Sequence, residues 1–178
     1  MRNGICEMDE QGVIEKLRKI KLFHTVKDDE ERLTKLARIV TWQQCKAGVE
    51  VLIEGTEGSE LYILQKGTVR IIKRTLDQER YTIVTLKDDE DAFFGELALL
   101  DREVRSASVL AETDCEFLVI NREDFNQLGE EDPRLGLPVT RAIAKELSKR
   151  LRKANQDMVL LFEALVEQVA ESGGLEEG

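Results

Sequence analysis

Apolar positions along this chain change their spacing twice. Between residues 9 and 40 they recur every three or four positions, which predicts two short helices. The two apolar stripes are Val13, Leu17, Ile20 and Leu33, Leu36, Val40. From residue 48 to 120 the pattern changes to short segments rich in Val, Ile, Tyr and Leu, each closed by glycine or charge, which is typical of β-strands.

Six strands are predicted in this middle region. They are Val49–Ile53, Leu61–Leu64, Val69–Lys73, Tyr81–Leu86, Ser106–Leu110 and Glu116–Ile120. Short strands so closely spaced predict a mainly β fold with flanking helices, an antiparallel β-roll or jelly-roll barrel. Tight turns at Gly55–Gly58 and Lys66–Gly67 favour a meander in which consecutive strands are neighbours.

The last third of the chain returns to helical spacing. Asn121 is a candidate N-cap for a short helix, and Pro138 is expected to open a final helix that ends near residue 170. Apolar residues in that helix step by 4, 3, 4, 3, 4, as in a heptad seam. The seam is Leu147, Leu151, Ala154, Met158, Leu161, Leu165. Either the helix packs wholly on its own barrel, or two copies form a homodimer through residues 147–165. About 33 helical residues would span roughly 50 Å, which is longer than a small barrel can cover. This length favours the homodimer.

The predicted organisation has four parts. Residues 1–11 form an N-terminal tail, 12–136 the β domain with its leading helices, 137–171 the long helix and 172–178 a flexible tail. The net charge of −10 argues against broad nucleic-acid binding. No apolar run approaches the ~20 residues that span a bilayer, and the amino terminus lacks a signal-type stretch, so we expect a cytoplasmic protein that does not bind membranes.

The sequence has few of the cysteine and histidine residues that metal sites and disulfides require. Cys6, Cys45 and Cys115 are odd in number and widely separated, so no disulfide framework or Cys-x-x-Cys metal site is expected, and reduced thiols are the expected state. His24 is the single histidine, which leaves no basis for a histidine-rich metal centre. We therefore expect no cofactor.

One stretch, Phe93 to Val109, combines residues suited to binding an anion. Gly95 lets the backbone approach a ligand, and Glu96–Leu100 are good formers of one or two helical turns whose first N–H groups face a phosphate. Arg105 follows, expected on the next strand, with a planar charged fork that matches phosphate oxygens. Taken singly, these residues would be ordinary surface or core residues; together they favour a binding cassette.

This stretch resembles the phosphate-binding cassette of the cyclic nucleotide-binding domain family, and the likeness covers roughly residues 12 to 165. Within this family the chain resembles the sensory domain of the bacterial catabolite activators, without their DNA-binding domain. The resemblance implies cAMP or cGMP as the ligand. The implied ligand-binding residues are Phe94, Gly95, Glu96, Leu97, Ala98, Arg105, Ser106, Ala107 and Asn155.

Individual roles also follow from the resemblance. Glu96 is expected to accept the ribose 2′-hydroxyl and Arg105 to bind the phosphate. The Ser106 hydroxyl can contact the phosphate or either base, so the sequence does not decide between adenine and guanine. Asn155 or Arg152 is expected to reach the purine from the final helix.

The sequence departs from the family pattern just before the cassette. The segment between Leu86 and Phe94 is about two residues longer than usual, lacks glycine and has the acidic run 88–91. These acids would either oppose an anionic ligand or form a solvated loop tip. They lack the spacing of a calcium loop.

The favoured function is a cyclic nucleotide sensor, not an enzyme, that signals through its C-terminal helix to a dimer or an unidentified effector protein. We expect no DNA binding by this chain alone. The runner-up is a protein-interaction or dimerisation module of the same fold that no longer binds the nucleotide. A cupin-like enzyme is the weakest alternative, because histidine is scarce.

Overall fold

The computed structural model describes residues 2–3, 8–75 and 79–173, which contain four α-helices and nine strands. The helices are α1 (Glu10–Lys19), α2 (Glu30–Arg38), α3 (Arg122–Glu131) and α4 (Pro133–Gly173). The strands are β1 (Arg2–Asn3), β2 (Val40–Cys45), β3 (Glu50–Leu52), β4 (Glu60–Lys66), β5 (Thr68–Arg74), β6 (Arg80–Lys87), β7 (Phe93–Phe94), β8 (Ser108–Ala111) and β9 (Cys115–Asn121). Single 3-10 turns cover Lys21–Phe23, Asp88–Glu90 and Glu96–Leu99.

The strands form two antiparallel sheets. One has the order β1-β2-β9-β4-β7 and the other the order β3-β8-β5-β6. The prediction of a mainly antiparallel β fold with flanking helices and a long C-terminal helix is confirmed. Its barrel is not: the two sheets remain separate, because no pairing among the described strands joins an edge of one sheet to an edge of the other.

The predicted meander is wrong. Among the described strands, consecutive neighbours pair only in β1–β2 and β5–β6. The other pairs join distant segments, as where Val40 faces Ile120 and Cys45 faces Cys115 across β2 and β9. Turn residues signal where the chain reverses, whereas the choice of neighbour depends on which strands can bury their apolar faces together.

All six predicted strands are present, with ends within two residues of the predicted ones. The sequence analysis missed β2, because Val40 extended the apolar stripe of the preceding helix and Gln43 and Gln44 interrupt the alternation. It also missed the two-residue strands β1 and β7. Strands this short have too few positions to show a period.

Side chains from both sheets form one core, in which three aromatic rings meet. Tyr62 and Phe94 stack with ring centroids 5.3 Å apart, and Phe117 meets both rings edge-on at 5.7 and 5.8 Å. Val69 and Val109 of the second sheet are buried in the same cluster. Because large aromatic side chains dominate core energetics, this cluster fixes β7 and the backbone that follows it.

The two predicted leading helices are confirmed as α1 and α2. Asp9 accepts a hydrogen bond from the Gly12 N–H and Asp29 one from the Arg32 N–H, so each helix has a side-chain N-cap. Their apolar stripes are buried, with Leu17 fully shielded from solvent. Val40, which we assigned to the second stripe, lies in β2 instead.

The corner between α3 and α4 differs in part from the prediction. Asn121 caps α3 as expected, accepting a hydrogen bond from the Glu123 N–H at 2.8 Å. The final helix begins at Pro133, however, and Pro138 lies inside it. Proline suits the first turn, where its missing N–H has no helical partner. Gly129 and Gly136 pack so closely here that a Cβ on Gly136 would lie 2.5 Å from the Gly129 Cα.

An ion-pair network connects α2 to this corner. Arg32 Nε and Lys35 Nζ donate to the Asp132 carboxylate at 3.3 and 3.2 Å. Burial alone would raise the pKa of Asp132, but the hydrogen bonds from Lys35 and Arg32 outweigh it and hold that pKa below its usual value. The network therefore favours the charged form of Asp132.

The chain divides into two compact units, Met1–Ala142 and Ile143–Gly178. In the second unit the side chains from Ser148 to Ala170 are exposed along the helix. Over the described parts of the chain, no helix is both long enough and apolar enough to cross a membrane. The predicted domain boundaries stay predictions. Most of the predicted tail 172–178, and Cys6 in the N-terminal tail, lie outside the described residues.

We predict that Asp132→Asn lowers stability in a pH-dependent way. A carboxyl with a depressed folded-state pKa stabilises the protein above its unfolded pKa, and this contribution is lost as pH falls through the folded pKa. Urea unfolding should therefore show a lower midpoint for the variant at pH 7, and the difference should shrink below about pH 4. Asp89→Asn, at an exposed acid, is the control. An unchanged difference at low pH would contradict the assignment.

Candidate functional site

Gly95 brings the backbone of the cassette close to two neighbours. It follows β7 and has φ +77°, the left-handed conformation that favours glycine. A Cβ at this position would lie 2.8 Å from the Glu60 carbonyl oxygen and 3.1 Å from Arg105 Nη1. Glycine is therefore required both by the backbone conformation and by the space available.

The segment after Gly95, for which we predicted one or two helical turns, is a single 3-10 turn, Glu96–Leu99. Its bonds run from the Ala98 N–H to the Gly95 oxygen and from the Leu100 N–H to the Leu97 oxygen. Glu96 is only 2% exposed. The intrinsic helix preference of these residues is satisfied by the tighter turn, which suits short connections.

Arg105 lies in the loop before β8, not on the strand as predicted. Its backbone is nevertheless fixed at both ends, because its N–H donates to the Thr56 oxygen at 2.8 Å and its own oxygen accepts from the Gly55 N–H at 2.9 Å. These two bonds hold the loop against the turn at residues 55–58. The position of the Arg105 side chain is thus set by contacts between distant parts of the chain.

The guanidinium of Arg105 is buried and bound to Glu60. Nη1 donates to the Glu60 carbonyl oxygen at 2.9 Å and Nη2 to the Glu60 carboxylate at 2.8 Å, with the arginine side chain 6% exposed. Burial lowers the pKa of Arg105, and the charge of Glu60 opposes that shift. An arginine stays protonated in a protein even so, so the site has a fixed positive charge.

Glu60 and Gly58 are site residues that the sequence analysis missed. A Cβ on Gly58 would overlap the guanidinium of Arg105, so the absence of a side chain leaves room for it. The Glu60 carboxylate is itself held by the Ser59 N–H at 3.0 Å and the Ser59 hydroxyl at 3.1 Å. In the sequence, Glu60 is indistinguishable from any surface acid next to a strand. For Gly58, the sequence predicted the tight turn at Gly55–Gly58 but not its contact with Arg105.

Arg122 is a third missed residue, and it connects the cassette to α3. Its Nη1 donates to the Ala98 oxygen at 3.2 Å and to the Asp101 oxygen, both at the end of the 3-10 turn. Its backbone N–H donates to the Ser59 oxygen at 2.8 Å. The first residue of α3 therefore contacts both the cassette turn and Ser59, which directly precedes Glu60 and the start of β4. No local signal distinguishes this arginine from other helix-start residues.

The acidic run before the cassette makes specific contacts within the fold. Asp88 accepts a hydrogen bond from the Gly67 N–H at 2.7 Å, and Asp91 forms an ion pair with Lys16 at 3.0 Å. Glu90 accepts from the Lys87 N–H at 3.2 Å and so closes the local 3-10 turn. Three of the four acids thus shape the longer connection, which needs no glycine because Asp91 adopts the left-handed conformation.

The structure places most of the predicted site residues together, around Gly95 and Arg105. Four are buried, three are partly buried and Ser106 is exposed. The buried ones are Phe94, Glu96, Ala98 and Arg105, and the partly buried ones are Gly95, Leu97 and Ala107. The Phe94 ring belongs to the aromatic core. Asn155 lies in the second unit and is exposed. The ligand-contacting roles of all nine residues stay predictions.

Taken together, these features define a class of protein, a β domain of two sheets with a site for a small anion. The site consists of the buried guanidinium of Arg105 beside the turn that begins at Gly95. Comparison with known proteins specifies the family. The family described as "Cyclic nucleotide-binding domain" matches residues 42–132. This match covers half of the chain, and the chain belongs to that family.

Two relatives and one solved structure show how far the similarity extends. The chain is 37% identical over 113 residues to human (Homo sapiens) cGMP-dependent protein kinase 2, covering 62% of this chain and 14% of the kinase. It is 36% identical over 124 residues to the Cyclic AMP receptor protein of Thermus thermophilus, covering 69% of this chain and 55% of that protein. A cyclic nucleotide-binding domain from Methylobacillus flagellatus superposes with a TM-score of 0.70 at 27% identity, covering 84% and 82% of the two chains. The chain thus spans only part of the length of both curated relatives.

We predict that Glu60→Gln destabilises the fold, because it leaves the buried Arg105 charge without its carboxylate. The expected loss is about 1–2 kcal/mol, less than for a fully buried pair because Glu60 is partly exposed. Urea unfolding of wild type and variant measures it. Glu57→Gln, at an exposed neighbour, should change stability by less than about 0.5 kcal/mol. Equal effects of the two substitutions would contradict the importance of the ion pair.

Proposed function

We propose that this chain binds cAMP or cGMP at residues 94–107 and acts as a regulatory sensor. The observation that supports this most is the buried, positively charged fork of Arg105 beside Gly95, in a domain of the cyclic nucleotide-binding family. The relatives compared above are named for both nucleotides, one for cGMP and one for cAMP. The base is therefore left open, and no catalytic step is part of the proposal.

Arg105 is the residue proposed to bind the phosphate. Its guanidinium has five N–H donors, more than the two bonds that it makes with Glu60. Glu60 pairs with the buried charge when no ligand is bound, and an incoming phosphate would share or replace that pairing. Glu96 is proposed to accept the ribose 2′-hydroxyl, and the exposed hydroxyl of Ser106 to contact the phosphate or the base.

Signalling is proposed to pass from the cassette to α4 through Arg122. This residue binds the end of the cassette turn and begins α3, and α3 ends at Glu131, with only Asp132 between it and the start of α4 at Pro133. A ligand that shifts the Ala98 and Asp101 carbonyl groups would move the start of α3. A change of helix position requires a ligand whose affinity differs between two positions of α4.

A second copy of the chain is the proposed partner of the exposed helix. Four seam residues of the second unit are strongly exposed, Leu151 at 62%, Met158 at 65%, Leu161 at 71% and Leu165 at 57%. An apolar patch this long is unusual on a monomer. Their heptad spacing suits a two-stranded coiled coil. An effector protein and a cytoplasmic location stay predictions.

A second candidate function is a dimerisation or interaction module of the same fold without nucleotide affinity. The observation that favours it is the pairing of Arg105 with Glu60, which already neutralises the charge that a phosphate would seek. This candidate predicts the same helix-mediated dimer but no ligand response. The titration that follows distinguishes it from the sensor.

We expect titration calorimetry to detect cAMP or cGMP binding by the wild type and much weaker binding of AMP. Arg105→Ala should weaken cyclic nucleotide binding at least tenfold, because losing a buried charge partner costs about 2–5 kcal/mol. Arg102→Ala, an exposed arginine of the same loop, is the matched control and should leave affinity unchanged. No binding by the wild type at millimolar ligand would favour the interaction module.

We also expect Leu161→Glu to convert a dimer into a monomer, because it places a charge within the apolar seam. Leu160→Glu makes the same change at the adjacent leucine, which is also strongly exposed, at 63%, but lies outside the seam. Sedimentation velocity should give a dimer for wild type and for Leu160→Glu, and a monomer for Leu161→Glu. A monomeric wild type, or equal behaviour of the two variants, would rule out the coiled-coil seam.

A further inference from the structure

Two of the three cysteines meet directly across neighbouring strands. Cys45 ends β2, Cys115 begins β9, and the two residues are register partners in the antiparallel ladder. Residues directly opposite in such a ladder have Cα atoms about 4.5–5.5 Å apart, which lies within the range of about 4.4–6.8 Å found in disulfides. Their wide separation in sequence concealed this pairing, and both are free thiols in the structure.

Both cysteine residues line a cavity. It has a volume of about 610 Å³, and its lining includes Cys45, Cys115, Lys46 and Lys66. The pair lies at the end of the strands, and the two residues, Cys45 and Cys115, are 8% and 2% exposed. A molecule of the size of a peroxide fits this cavity. The low exposure of the two cysteines disfavours reaction with larger reagents.

The two thiols are held in place by the surrounding backbone. Cys115 Sγ lies within hydrogen-bond distance of the Thr68 oxygen at 3.4 Å and of the Thr113 oxygen at 3.3 Å, which share its single S–H donor. Burial raises the pKa of Cys45 to about 11, with the neighbouring Cys115 adding to the shift. Since the thiolate is the reactive form, oxidation should be slow at neutral pH and faster at higher pH.

We propose that Cys45 and Cys115 form a reversible oxidation site whose substrate is a small hydroperoxide and whose product is an intramolecular disulfide. Hydrogen peroxide transfers one oxygen to one thiol, its O–O bond breaks and water leaves. The second sulfur then attacks the resulting sulfenic acid, the S–O bond breaks, the S–S bond forms and a second water leaves. Two thiols are oxidised by two electrons and one peroxide is reduced to two waters.

The proposed oxidation site includes no residue of the cassette, so this proposal does not rest on the proposed nucleotide binding. The disulfide would join β2 to β9 at the turn around Gly67, where a Cβ would lie 2.7 Å from Cys115 Sγ. It would close a loop between distant parts of the sequence. The reduced state expected from the cysteine count is then one of two states of the pair.

The test uses the full chain with Cys6→Ser, which leaves only these two thiols. The reduced protein is treated with hydrogen peroxide at pH 8.5, alkylated under denaturing conditions and examined by intact mass and peptide mapping. The expected result is a mass loss of about 2 Da with neither cysteine alkylated, a Cys45–Cys115 cross-linked peptide, and full reversal by dithiothreitol.

The control adds Cys45→Ser, which leaves a single thiol that cannot give this mass loss. The proposal is overturned if both thiols of the Cys6→Ser protein remain open to alkylation. It is also overturned if each sulfur gains oxygen separately without a cross-link, or if the cross-link joins two chains. Because the decisive measurement needs no substitution in the described core, a failure of the control variant to fold would not affect it.

Discussion

The burial of one arginine constrains the arrangement of the whole β domain. Arg105 is 7% exposed, and a buried charge is tolerated only with a close partner of opposite sign and well-placed hydrogen bonds. Glu60 supplies both, through its carboxylate and its backbone oxygen. For these bonds to form, Gly58 and Gly95 must lack side chains, and the loop before β8 must reach the turn at residues 55–56. Each of these requirements joins parts of the chain that lie far apart in sequence.

The aromatic core stabilises the positions of Glu60 and Gly95, two residues that contact the Arg105 guanidinium. Tyr62 directly follows the Glu60–Leu61 segment along β4 and stacks on Phe94, which precedes Gly95. Burial raises the pKa of Tyr62 to about 12, with the charge of Glu60 adding to the shift, so the phenol stays neutral. The core thus positions both sides of the cassette, because Tyr62 lies two residues after Glu60 and Phe94 directly precedes Gly95.

The acidic run before the cassette illustrates why charge content is a weak guide to function. As a sequence, four consecutive acids beside an anion site suggest repulsion. In the fold, Asp88 accepts from a backbone N–H and Asp91 pairs with Lys16, a residue of α1. These two acids therefore stabilise the connection that leads to the cassette, and the charge of Asp91 is paired within the protein. The departure from the family pattern lies in this connection, whereas Gly95, Glu96 and Arg105 keep their spacing.

The sequence alone determined the positions of six strands, the leading helices, the N-cap at Asn121 and the family of the cassette, because these depend on local period, turn chemistry and a short motif. Tertiary structure decided what paired with what. It placed β9 between β2 and β4, kept the two sheets separate, assigned Glu60 and Arg122 to the cassette and brought Cys45 opposite Cys115. Such pairings arise from burying apolar faces and satisfying charges at the same time between segments that are distant in sequence. No local pattern encodes that joint requirement, so only the folded chain shows it.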